Sequence, residues 1–83
     1  MSKIDKNLKA MKSNPQQDWK IADLKSIARR YSIEHRQPGT SHVTFSCLNG
    51  NCITVPARKP IKAVYIKKFV EMIEVLQKEE DND

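Results

Sequence analysis

The feature that most restricts the fold is a change of hydrophobic period near the middle of the chain. Val43, Phe45 and Cys47 alternate with Thr44 and Ser46, and Ile53 and Val55 alternate with Cys52 and Thr54. A period of two is that of a strand with one face in a core. Asn49-Gly50 stands between the two runs and suits a turn with positive φ, so the segment reads as a β-hairpin. Parity then narrows the register. A two-residue loop at Asn49-Gly50 sets Cys47 opposite Cys52 and Phe45 opposite Thr54, which sends the two apolar sets to opposite faces. A three-residue loop over 49–51, or a five-residue one, pairs Cys47 with Ile53 and Phe45 with Val55, and both sets then reach one core. Cys47 and Cys52 fall on opposite faces in that register, which disfavours a disulfide between them.

Helical periods flank the hairpin. Over residues 21–31, Ile21, Leu24, Ile27, Ala28 and Tyr31 share one face while Lys25, Arg29 and Arg30 point away. Asp18 or Asp23 suits the positive end of that helix, and Trp19 just before it reads as a core anchor rather than a base-stacking platform. Over residues 64–78, Ile66, Phe69, Val70, Ile73 and Leu76 form a stripe that Tyr65 and Met72 broaden. Glu74 and Lys78 stand in the favourable order four residues apart on it. Residues 33–37 suit a short strand, and Pro56 ends the hairpin before a basic loop over 57–62. At the start, Ile4, Leu8 and Met11 repeat at helical spacing among lysines before Asn14-Pro15; so short a stripe can dock weakly on the body or on a partner, but more often marks a frayed terminal helix. The expected fold is α+β, with a three-stranded antiparallel sheet, two helices on one of its faces and a short N-terminal helix. Residues 1–15 form the basic helical segment, 16–78 a single domain, and 79–83 an acidic tail.

Charge bears on function. The chain carries +5 overall, yet Glu79, Glu80, Asp81 and Asp83 place four negative charges in the tail, so residues 1–78 stand at +9. Such an excess on an 83-residue chain draws polyanions, nucleic acid first among them. No apolar stretch approaches the roughly 20 residues of a membrane span, and residues 1–11 lack a signal-like apolar run, so a cytoplasmic protein with no membrane partner is expected. Two cysteines without further Cys or His ligands suggest neither a disulfide framework nor a zinc site.

For acid–base work near neutral pH the chain offers His35 and His42. His35 lies inside a short strand between Glu34 and Arg36 and reads as a structural or solvated residue, since a polar side chain in a strand usually faces water. His42 follows Gly39-Thr40-Ser41 and begins a strand. A loop with a glycine and small hydroxyls lets a phosphate approach backbone N–H groups, and the imidazole beside it can exchange protons with a reacting oxygen. From the residues alone, His42 serves equally well as a turn or capping residue. Arg36, Arg58, Lys59 and Lys62 flank the loop and can gather on one phosphate backbone, or else form an ordinary solvated surface. No glycine-rich nucleotide loop, metal-ligand cluster or carboxylate pair accompanies His42, so no cofactor or metal is expected.

At Gly39-Thr40-Ser41-His42-Val43-Thr44-Phe45, then Thr54-Val55-Pro56, and Lys62 followed by Tyr65-Ile66-Lys67-Lys68-Phe69, the chain resembles the HicA family, toxins of bacterial toxin–antitoxin pairs. The resemblance runs over residues 19–76. It implies a fold like that of the double-stranded-RNA-binding domain, used as a translation-independent mRNA interferase and neutralised by a HicB-like antitoxin. DNA would be met only indirectly, through an antitoxin complex. His42 matches the family's catalytic histidine. Arg58 stands where many relatives carry a histidine, so a proton-donor role does not carry over to it, although arginine can hold phosphate. The implied chemistry is attack of a ribose 2′-OH on its adjacent phosphate, with His42 as general base and cations stabilising the phosphorane. The competing expectation is a non-catalytic basic module that binds RNA through the same face.

Overall fold

The computed structural model describes residues 3–37, 39, 41–47, 50–57 and 61–81, with backbone alone at 3, 4 and 79–81. Its elements are α1 (Lys3–Ser13), α2 (Ile21–Arg30), β1 (Glu34–Arg36), β2 (His42–Ser46), β3 (Cys52–Pro56) and α3 (Ala63–Asp81). The strands form one antiparallel sheet in the order β1-β2-β3. The expected α+β architecture is therefore present.

α2 begins and ends for reasons visible in its bonds. The carboxylate of Asp23 accepts the N–H of Lys20 at 3.0 Å, which satisfies a donor left open at the helix start. At the other end Ile33 N–H donates to Ala28 O at 2.8 Å and Ser32 N–H to Arg29 O at 3.4 Å, with Ser32 at φ 57°. That is a Schellman termination, with serine in the left-handed position that glycine usually takes. Ala28 and Ile33 are both buried beneath it, supplying the apolar contact that accompanies the motif. The reversal aims the chain directly into β1.

Val43 and Phe45 of β2 and Val55 of β3 are buried, while His42, Ser46, Cys52 and Thr54 are exposed, so one sheet face meets the helices and the other is open. Leu24, Ile27 and Ala28 of α2 and Ile66, Phe69, Val70, Met72 and Ile73 of α3 complete the core. Phe45 and Phe69 meet edge to face, 5.1 Å between centroids, at the junction of sheet and α3. Trp19 is buried as an anchor: its indole N–H donates to Asn14 O at 2.9 Å, and its carbonyl accepts Ile61 N–H at 3.1 Å, tying the α1–α2 connection to the segment before α3.

Three expectations need correction. The hairpin pairs Phe45 with Ile53 and Val43 with Val55, one two-residue step from the register expected, with Ser46 opposite Cys52. A slip of two keeps every side chain on its face, so alternation could not detect it. The turn decides the matter: Cys47 N–H bonds Asn51 O at 2.8 Å, and Gly50, at φ 92°, donates to Cys47 O at 3.1 Å. Leu48 and Asn49 lie outside the described residues. His35 takes the structural of its two expected places. It pairs with Phe45 and turns its half-buried ring toward that phenyl, 6.1 Å between centroids on the helix-facing side. α1 is not a frayed end, because it packs on α2 and α3 with Met11 fully buried. Glu74 pairs with Lys12 across that contact at 2.7 Å rather than with Lys78. No helix among the described residues is long and apolar enough to cross a membrane.

Candidate functional site

The open sheet face is built by strand parity. Because Val43 and Phe45 point into the core, His42, Thr44 and Ser46 must point the other way. Pairing brings Arg36 and Thr54 to either side of Thr44, Glu34 and Cys52 to either side of Ser46, and Pro56 opposite His42. Thr44 and Thr54 join their hydroxyls at 3.2 Å. The result is a face of hydroxyls with an imidazole at one end.

His42 is exposed, and its Nδ1 lies 3.2 Å from the Ser41 hydroxyl. This contact bears on proton chemistry. When Nδ1–H donates to Ser41 Oγ, Nε2 is left as an acceptor able to take a proton; the opposite tautomer reverses those roles. Ser41 is itself held, since its carbonyl accepts Ala57 N–H at 2.8 Å, fastening the start of β2 to the exit of β3.

Arg36 is exposed on the same face as His42. It pairs with Thr44, two residues along β2 from His42, a diagonal spacing of about 7–8 Å that long side chains span. Gly39 is exposed, and a Cβ there would meet no heavy atom within 4 Å, so packing does not require glycine at that point. Thr40, Arg58 and Lys59 lie outside the described residues. Lys62 is exposed and opens α3, its carbonyl accepting the N–H groups of Tyr65 at 3.0 Å and Ile66 at 3.3 Å; among the described residues no bond joins it to the His42 loop. Of the expected group, Arg36, Ser41 and His42 come together.

His35 lies on the opposite side of the sheet, so the two histidines cannot act as an acid–base pair on one substrate. Thr44 and Thr54 were missed as site residues. Their alternation against Val43, Phe45 and Val55 was the available signal, because it placed them on the face that carries His42. Away from this face, the Tyr31 phenol is held above its ordinary range, first by burial and then by its bond to Asp5, to which it donates at 2.8 Å. Among the described residues no group of three or more His, Cys, Asp or Glu side chains is placed to hold a metal ion. Compared with known protein families, curated proteins and solved structures, the chain matches none.

Proposed function

We propose that this chain is an endoribonuclease of the HicA toxin type, cytoplasmic, acting on mRNA without a metal ion and neutralised by a HicB-like antitoxin. The observation that carries the reading is an exposed His42, in contact with the Ser41 hydroxyl, on a sheet face that also holds Arg36. The resemblance at residues 39–45, 54–56 and 62–69 supports it, as does the basic balance of residues 1–78.

In the proposed reaction Nε2 of His42 takes the proton of a ribose 2′-OH. The 2′ oxygen then bonds to the adjacent phosphorus, and the bond from phosphorus to O5′ breaks. The products are a 2′,3′-cyclic phosphate and a 5′-hydroxyl, the leaving oxygen receiving a proton from water or the imidazolium. Arg36, and Arg58 beyond the described residues, would balance the charge that develops on phosphorus. His42 carries the proton transfer alone, because His35 is on the other face.

The test is cleavage of a labelled mixed-sequence RNA in the presence of a chelator, by the native chain and by His42→Ala, over pH 5 to 8. Loss of a general base lowers the rate by about 10²–10⁴-fold, so native cleavage with a cyclic-phosphate product and a variant that only binds are expected. Equal cutting of an all-deoxy strand, or equal activity of the variant, would refute the mechanism. Salt-sensitive binding without cleavage by either protein would make the chain a binding module instead.

A further inference from the structure

α3 carries a surface that the His42 reading does not use. Two large hydrophobic side chains stand exposed among the described residues, Val64 at 50% and Val75 at 39%, and both belong to this helix. Single exposed valines are ordinary on a protein surface. These two lie on one stripe, Val64-Lys68-Glu71-Val75, whose spacings of four, three and four keep all four residues within a narrow arc. Lys68 and Glu71 are exposed, and among the described residues neither has an ion-pair partner. The stripe runs beside the start of β3, a sheet-edge strand, with Ile53 and Met72 forming an apolar wall of the shallow groove between them.

The order of residues along this stripe is self-complementary. Set against a second copy of itself in the antiparallel sense, α3 places Val64 opposite Val75 of the other copy and Lys68 opposite its Glu71, each contact occurring twice about a two-fold axis. The two valines are eleven residues apart, about 16 Å along the helix, so the four contacts span three turns. In the parallel sense, in register, the same stripe sets Lys68 against Lys68 and Glu71 against Glu71. Charge complementarity therefore fits a second copy in the antiparallel orientation, an arrangement that is isologous because each contact repeats about the two-fold axis. We propose that this face of α3 is a homodimer interface in which two copies pair antiparallel through Val64, Lys68, Glu71 and Val75.

The apolar area is small and the ion pairs stay near solvent, so the valines and the groove wall supply the attraction while the charges set the register. The dimer is accordingly weak and populated at high micromolar concentration. None of the four residues belongs to the candidate site around His42, so failure here leaves the nuclease reading standing.

The experiment is sedimentation equilibrium of the full chain under reducing conditions at low salt, from 10 µM to 1 mM. Concentration-dependent dimerisation is expected. Lys68→Glu and Glu71→Lys should each weaken it about ten-fold by placing like charges across the axis, and the double variant Lys68→Glu/Glu71→Lys should restore it. Val75→Asp should abolish it, with Val64→Ser as a milder second variant and circular dichroism confirming that each chain is folded. A monomer at 1 mM overturns the proposal, whether or not another protein binds the stripe. So does a dimer indifferent to these substitutions, or a double reversal that fails to restore association.

Discussion

Replacing Met11 by alanine tests whether α1 is part of the domain that holds the sheet. The side chain is fully buried among core residues although its helix lies near the chain terminus. Alanine is at least as good a helix former as methionine, so any loss must come from packing and not from helix propensity. Buried Met→Ala changes cost about 2–5 kcal/mol, and a terminal helix can shift to close part of the cavity, which points to about 2–3 kcal/mol here. An 83-residue domain has about 4–12 kcal/mol of stability in all, so the variant loses a substantial share of it. With each kcal/mol worth about 4–8 °C in a domain of this size, Tm should fall by about 8–24 °C. Urea melts followed by tryptophan fluorescence measure the change directly, because buried Trp19 is bonded to Asn14 in the connection just after α1. Lys12→Ala is the control. It removes an exposed ion pair, with side chains 63% and 44% accessible, and should cost no more than about 1 kcal/mol. If Met11→Ala costs less than about 0.5 kcal/mol, and amides of α1 exchange as fast as a free peptide, then α1 is not docked and the packing described is incorrect.

Two further outcomes follow from local geometry. Tyr31 has a folded-state pKa above its unfolded value, so its contribution to stability is fully present below about pH 10 and is lost as pH rises through the folded value. Tyr31→Phe should therefore be less stable than the native chain at pH 7, with the gap narrowing toward pH 11 in urea melts; a constant gap would show that the phenol is not perturbed. At Ser32, held at φ 57°, stability should order glycine above serine above valine, with Ser32→Gly raising it by up to about 1 kcal/mol and Ser32→Val lowering it by about 1–2 kcal/mol. Thermal melts of the three proteins decide this, and a valine variant as stable as the native chain would refute the left-handed termination of α2.

The candidate site was partly legible from one dimension. His42 and Ser41 are neighbours in the chain, and the alternation of Val43 and Phe45 with Thr44 placed His42 on the face away from the core. That Arg36 shares the face depends on β1 lying antiparallel to β2 with Arg36 opposite Thr44, a long-range pairing that the short run at residues 33–37 could not specify. The same pairing turned His35 toward the core side, where its half-buried ring lies beside Phe45.

What the amino-acid sequence determined by itself was local and periodic. The stripes of α2 and α3, the hairpin and the faces of β2 and β3 follow from side chains repeating at 3.6 or 2 residues around an apolar core, and the anchoring role of Trp19 from the size of its apolar ring. Tertiary structure decided which of several equivalent arrangements is realised. A hairpin slipped by two residues buries the same side chains, so the turn at Cys47 and Gly50 had to choose the register. Three apolar residues in α1 cannot hold a helix alone, but α2 and α3 together provide the surface that buries Met11 and brings Lys12 to Glu74. Periodicity records whether a residue prefers the core; only the assembled chain sets which neighbour it meets there, because that choice is a competition among contacts distant in sequence.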